Sequence, residues 1–357
     1  MNQSNPIISF LLEHNKRQSE IFCGPDAALA RRQYRAIHPT EIAALKCMDG
    51  RLNLAVQTQT PPGIIQPFRN IGGKFDIGWP YFGELMSEWV NYIIAKGRSG
   101  IVLVTYHYSK GDTHRGCRGF KYDAPAAMAY THDLKNQIER VFGKEHKIIY
   151  PIQVGIETDD EALTLHGQKG LTLNLAEKLS LPENDLRERV EKLYPDMSQQ
   201  MVADLMPLLV GNQRHIAKIK ASNRPLVNTE HMEQVLVIGR GMDWLHLPNK
   251  ALIIGPYSYN LREPIVAGAG ILLENLKEGR VPEKDGLVLL ASAAYREDAG
   301  FEKLRAIEKA HSFAEFAQHA IYEAVPEIKP HLHLLLGIVD LNTRLMTVIE
   351  PRQQINT

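Results

Sequence analysis

The chain has 357 residues, enough for two domains with full cores. Apolar residues make up 44% and charged residues 23%, which excludes a disordered chain. The 41 basic and 41 acidic residues cancel, so charge points neither to a nucleic-acid partner nor to a solvating acidic tail.

The longest apolar runs, such as Ile101–Val104 and Leu287–Leu290, are strand-sized and far below the roughly 20 residues of a membrane span. The opening stretch Ile7–Leu12 is short, lacks a basic flank and ends in acid, so no signal peptide is expected. Three cysteines in such a chain do not make a disulfide framework. They predict a reducing compartment, the cytoplasm, where thiols serve metals or catalysis.

In chain order, residues 1–40 read as a helical lead-in, mixing charged and apolar residues without strand alternation. Residues 41–166 read as a mixed α/β domain. It contains a strand ending in Leu45, a helix over 81–95 with Leu85, Trp89 and Ile93 on one stripe, and the strand Ile101–Val104. A helix over 124–142 and a strand over 148–156 complete it, which implies a parallel sheet flanked by helices. Residues 167–229 carry helical periodicity and read as a helical connector. Residues 230–357 return to the α/β pattern.

That return predicts a duplicated domain. Gly286-Leu-Val-Leu-Leu echoes Gly100-Ile-Val-Leu-Val, Gly337-Ile338 echoes Gly155-Ile156, and Met242-Asp243 echoes Met48-Asp49, all in one order. In this alignment Cys47 faces Gly241, Arg51 faces Leu245 and His107 faces Ala293, so the second copy is degenerate and lacks metal ligands.

Chemistry concentrates in the first copy. Cys47, Asp49 and Arg51 follow an apolar strand at alternate positions, which places them on one face of an extended chain. Ligand sites of parallel sheets lie at that carboxyl end. A second cluster, Tyr106 to Cys117, also follows a strand directly. Two thiols and an imidazole form a good zinc set, and three protein ligands leave the fourth position that a catalytic zinc keeps open. The expected metal ligands are therefore Cys47, His107 and Cys117, with one Zn2+ per chain. His114 competes with His107, because His114-Arg-Gly-Cys117 places a histidine three residues before the thiol.

Cys-x-Asp-x-Arg at Cys47–Arg51, Arg69-Asn70-Ile71-Gly72-Gly73, and a strand ending in His107 with Cys117 beyond it resemble the β-class carbonic anhydrases. The resemblance covers roughly residues 41–160. It implies a β-carbonic-anhydrase-like parallel sheet flanked by helices, here duplicated within one chain. It implies reversible hydration of carbon dioxide to bicarbonate and a proton by zinc-bound hydroxide. Asp49 and Arg51 would contact the reactive oxygen, and the Arg69–Gly73 segment would form part of the site wall.

Family members place His-x-x-Cys directly after the strand, whereas here His107 lies ten residues before Cys117. The widened spacing and the degenerate copy resemble the carboxysome shell branch, which also carries a long N-terminal segment where this chain has about 40 residues. That likeness adds a bacterial microcompartment and a shell partner to the expectations. The family's dimers imply a homo-oligomer and make Tyr257 and Arg262 residues of interest near the pocket. Proton carriers are sought among His38, His114, His231 and His246, because imidazole titrates near neutrality. The alternative function is a zinc-stabilised inactive scaffold or shell-associated assembly protein. A thiol enzyme is disfavoured, because no glycine-rich anion cradle follows Cys47.

Overall fold

The apolar run at Ile101 becomes the centre of a sheet because it is buried on both faces. The computed structural model describes residues 5–143, 148–179, 181–225, 229–241, 247, 249–296 and 300–352. They divide into two compact units. One comprises Leu29–Glu230 with Tyr257–Tyr259; the other comprises Met1–Ala28, His231–Pro256 and Asn260–Thr357. Both are α/β, with mostly parallel sheets flanked by helices.

In the first unit, β1 (Glu41–Cys47), β2 (Ile65–Asn70), β3 (Gly100–Tyr108) and β4 (Ile149–Glu157) run parallel in the order β2-β1-β3-β4. β5 (Ala162–His166) and β6 (Thr172–Asn174) extend the sheet antiparallel. The helix over Pro80–Ala95 (α4; α1–α3 are Pro6–Cys23, Pro25–Ile37 and Leu54–Gln57) buries Phe82, Met86, Val90 and Ile93, one stripe at helical spacing. α5 (Ala124–Ile138) starts where Asp123 accepts a bond from the Ala126 amide at 2.9 Å, and it buries Ala127, Thr131, Leu134 and Ile138. The α4 stripe, with Leu134 and Ile138 of α5, joins Ala43, Leu45, Val102 and Val104 in one core, where each fully buried Leu or Val contributes about 1.5–3 kcal/mol.

The expected connector is not a free-standing spacer. Residues 167–229 hold β6 as well as α6 (Glu183–Leu193) and α7 (Gln199–Ala221), and all are built into the first unit. Helical periodicity concealed the three-residue strand, which is fixed by pairing with β5 rather than by its own pattern. Asn212 of α7 accepts from the Leu163 amide at 3.0 Å and donates to the Gln57 and Glu161 carbonyls. Asp204 of the same helix accepts from the Thr40 amide at 2.9 Å and lies 3.2 Å from His38.

The lead-in is not one segment either. α1 belongs to the second unit, because its apolar face of Ile7, Ile8 and Leu11 packs on Val235, Val237 and Leu290. Asn15 of α1 donates to the Arg344 carbonyl and accepts from the Met346 amide, clamping the helix to the last strand.

The second unit repeats the first topology. β7 (Val235–Ile238), β8 (Ala251–Ile254), β9 (Leu287–Tyr295) and β10 (Leu332–Asp340) run parallel as β8-β7-β9-β10, and β11 (Met346–Ile349) closes antiparallel. α8 (Arg262–Lys277) and α9 (Phe301–Ala324) flank it. The ladders set the equivalences: Leu45↔Val104↔Gln153 in one sheet matches Val237↔Leu290↔Leu335 in the other. His107, paired with Ile156, therefore matches Ala293, paired with Ile338, as the sequence alignment has it. The Met-Asp echo is out of step with these ladders by two residues. Extending them places Gly239, not Gly241, at the position of Cys47, since hydrogen-bonded register rather than dipeptide likeness defines equivalence. Gly239 (φ 105°) has no room for a thiol, because a Cβ there would meet the Ser292 carbonyl. Met242, Asp243 and Leu245 lie outside the described residues. No helix among the described residues is long and apolar enough to cross a membrane.

Candidate metal centre

The site begins where β1 stops. Asn70 on β2 accepts from the Met48 amide at 2.8 Å, and the chain then turns, with the Leu52 amide donating to the Asp49 carbonyl at 3.2 Å. Beyond the end of β2, Gly72 and Gly73 adopt φ of 63° and 65°. A Cβ on Gly73 would stand 3.0 Å from the Thr105 carbonyl and 3.4 Å from the Cys47 amide, so only glycine passes between β1 and β3 here. Gly73→Ala is expected to destabilise the chain by about 1–2 kcal/mol through left-handed strain alone, read as a lowered denaturation midpoint with reduced metal retention.

His107 comes from the buried end of β3, and Cys117 from the loop beyond it. Cys47, His107 and Cys117 are buried, and their donor atoms all lie within 4.8 Å of one another. Neither ring nitrogen of His107 has a hydrogen-bond partner, although the residue is 1% exposed. An imidazole taken out of water with both nitrogens orphaned is costly unless something ligates it. Asn70 Oδ1, level with Cys47 on the adjoining strand, is a second buried orphan. The thiols titrate as a pair. The bond from Cys117 and the nearness of His107 hold Cys47 well below the usual thiol range despite burial, while the shared bond and burial push Cys117 well above it. Two buried thiols and an unsatisfied imidazole form a donor set that fits a soft divalent metal.

Asp49 and Arg51 adjoin the cluster in sequence and are joined by the turn rather than by strand alternation. The strand ends at Cys47, and Asp49 Oδ1 accepts from the Arg51 backbone amide at 2.9 Å, closing an Asx-turn. Arg51 Nε then donates to Oδ1 at 3.0 Å and to Oδ2 at 3.1 Å, and Nη2 donates to Oδ2 at 2.5 Å. The pair is buried, with side-chain exposures of 8% for Arg51 and 3% for Asp49. Arg51 also donates to the Thr229 carbonyl and, at 3.2 Å, to the Arg115 carbonyl. The Asp49 carbonyl accepts from the buried guanidinium of Arg69 at 3.4 Å.

No protein-family model matches the chain, and no curated protein matches it.

The rival ligand is excluded from the cluster: His114 is exposed and bonds only locally, to Asp112 at 3.2 Å. Cys23 is exposed and belongs to the other unit. Among the sought proton carriers, His38 pairs with Asp204 and His231 with Glu233, and His246 lies outside the described residues. Tyr257 is fully buried among Phe68, Phe75 and Phe82, with ring centroids 5.5, 5.8 and 6.2 Å away, whereas Arg262 is a surface partner of Glu323.

The sequence reading overlooked Arg115 and Asp159. Arg115 is buried in the inserted loop and donates a fork to Asp159, from the β4–β5 turn, at 2.9 and 3.2 Å. Burial raises the Asp159 pKa, but the bonds from Arg115, Ser109 and Gly111 outweigh it and hold the carboxyl below its ordinary value. The only linear hint is an acidic turn, Asp159-Asp160-Glu161, beyond a strand that neighbours a basic loop.

Proposed function

We propose that the chain is a zinc-dependent carbonic anhydrase of the β class, hydrating carbon dioxide to bicarbonate and a proton. One observation carries the reading: a buried Cys-His-Cys set with an orphaned imidazole lies at the carboxyl end of a parallel sheet, and Asp49, two residues from Cys47, is gripped by Arg51. Two sulfurs and one imidazole favour zinc over magnesium, calcium or manganese, which take oxygen ligands. Three protein ligands are the count of a catalytic rather than a structural zinc. Bound there, zinc would supply a Lewis acid that makes hydroxide available near neutral pH.

The rest is the work of the protein's own groups. Asp49 accepts a hydrogen bond from the attacking oxygen and so aims a lone pair at the carbon. Arg51 keeps Asp49 ionised, because an adjacent positive charge favours the carboxylate, and its fork fixes which way the carboxylate faces. One C–O bond forms, one O–H bond of water breaks, and the proton passes to solvent or buffer.

Stopped-flow CO2 hydration on metal-analysed protein tests this directly. The expected rate scales with zinc content; fully zinc-loaded protein without hydration activity would overturn the proposal.

A further inference from the structure

The ten-residue interval between His107 and Cys117 has its own anchor, outside every motif. Asp159 Oδ1 accepts from Arg115 Nε at 2.9 Å. Its Oδ2 accepts from Ser109 Oγ at 2.8 Å, the Gly111 amide at 3.1 Å and Arg115 Nη2 at 3.2 Å. Asp159 is itself held from behind, since its carbonyl accepts from Arg224 Nη2 at 2.7 Å. Arg224 also bonds Glu161, which pairs with His215 of α7 at 2.8 Å. The carboxylate is therefore fixed by its backbone as well as by its partners.

What the carboxylate fixes is a carbonyl. With its guanidinium clamped, Arg115 turns its carbonyl toward Arg51 Nη2 at 3.2 Å and Thr158 Oγ1 at 3.3 Å. Arg51 is a long side chain with many rotamers, and it meets Asp49 squarely only while its outer nitrogens have acceptors. The Arg115 and Thr229 carbonyls provide them.

We propose that Asp159 is a positioning residue of the metal centre: through Arg115 it holds Arg51 on Asp49, and so keeps the Asp49 carboxylate off the open metal position. The inference rests on the metal-centre reading above. Without Asp159, the buried Arg115 guanidinium loses its forked counter-charge and keeps Asp112, 3.9 Å away, so the 109–116 loop shifts and Arg51 loses an acceptor. Asp49 then loses the fork that Arg51 gives it and competes with exogenous ligands for the metal.

The test uses the full chain loaded with Co2+ and titrated with thiocyanate, read by visible absorption. Wild type is expected to load Co2+ and respond to thiocyanate. Asp159→Asn is expected to load Co2+ but to need about tenfold more thiocyanate, the loss of a charge-assisted bond being of that order. Asp49→Ala added to Asp159→Asn restores the wild-type midpoint, which simple loop disorder would not do. An unchanged midpoint in Asp159→Asn, or no restoration in the double variant, overturns the proposal. Should Asp159→Asn fail to fold, Ser109→Ala removes one support of Asp159 and shifts the midpoint the same way by about threefold; no shift there overturns it equally. Failure of wild type to take up Co2+ or Zn2+ marks a different fault, the collapse of the metal-centre reading itself and of this inference with it.

Discussion

His107→Ala is expected to lose at least about 100-fold in zinc affinity, since even outer-shell partners of metal ligands are worth roughly 10–100-fold. His107 supplies the cluster's one imidazole from the rigid end of β3, and no neighbouring histidine among the described residues replaces it: His114 is exposed and faces Asp112. His114→Ala should therefore keep about one zinc per chain. Cys47→Ser and Cys117→Ser should behave like His107→Ala, because a hydroxyl does not replace a thiolate for a soft metal. Elemental analysis after dialysis against a weak chelator reads all four variants. Zinc retained in His107→Ala and lost in His114→Ala would transfer the ligand role to the exposed loop histidine, against the geometry.

Asp49→Ala is expected to keep its zinc and lose CO2 hydration by about 100-fold or more, the scale on which a misplaced reacting group costs rate. Cys47, His107 and Cys117 are untouched, so metal content isolates the loss to the orientation of the attacking oxygen. Arg51→Ala should lose activity as well, because Asp49 is left buried without its guanidinium. Burial changes what stability measurements should show. Removing one partner of a buried ion pair costs about 3–5 kcal/mol, so both variants should melt earlier than wild type while retaining zinc. Arg51→Lys keeps the charge but not the fork, and should fall between Arg51→Ala and wild type in rate. A scaffold in which zinc serves folding alone predicts no hydration in any of these proteins. Full activity in Asp49→Ala would rule out the role given to that carboxylate.

The sequence by itself determined the local elements and the donor types. Ile101–Val104 could only be a buried strand, the Leu85-Trp89-Ile93 stripe only a helix face, and Cys47, His107 and Cys117 were legible because thiols and imidazole follow two strand ends. The echo of Gly100 and Gly155 at Gly286 and Gly337 disclosed two sheets of one topology, because a duplicated fold keeps its strand order. Tertiary structure decided everything that depends on register, partners and burial. β6 exists through its ladder with β5, α1 belongs to the unit whose core takes up Ile7, Ile8 and Leu11, and Gly239 stands where Cys47 does because hydrogen-bonded ladders place it there. That His107 rather than His114 lies with the two thiols depends on burial, which spacing does not encode. Asp159 reaches the site from 42 residues beyond Cys117 only because β4 runs beside β3 and returns its turn to the inserted loop. A side chain's partner across a sheet is a property of pairing, and pairing forms only when the sheet does.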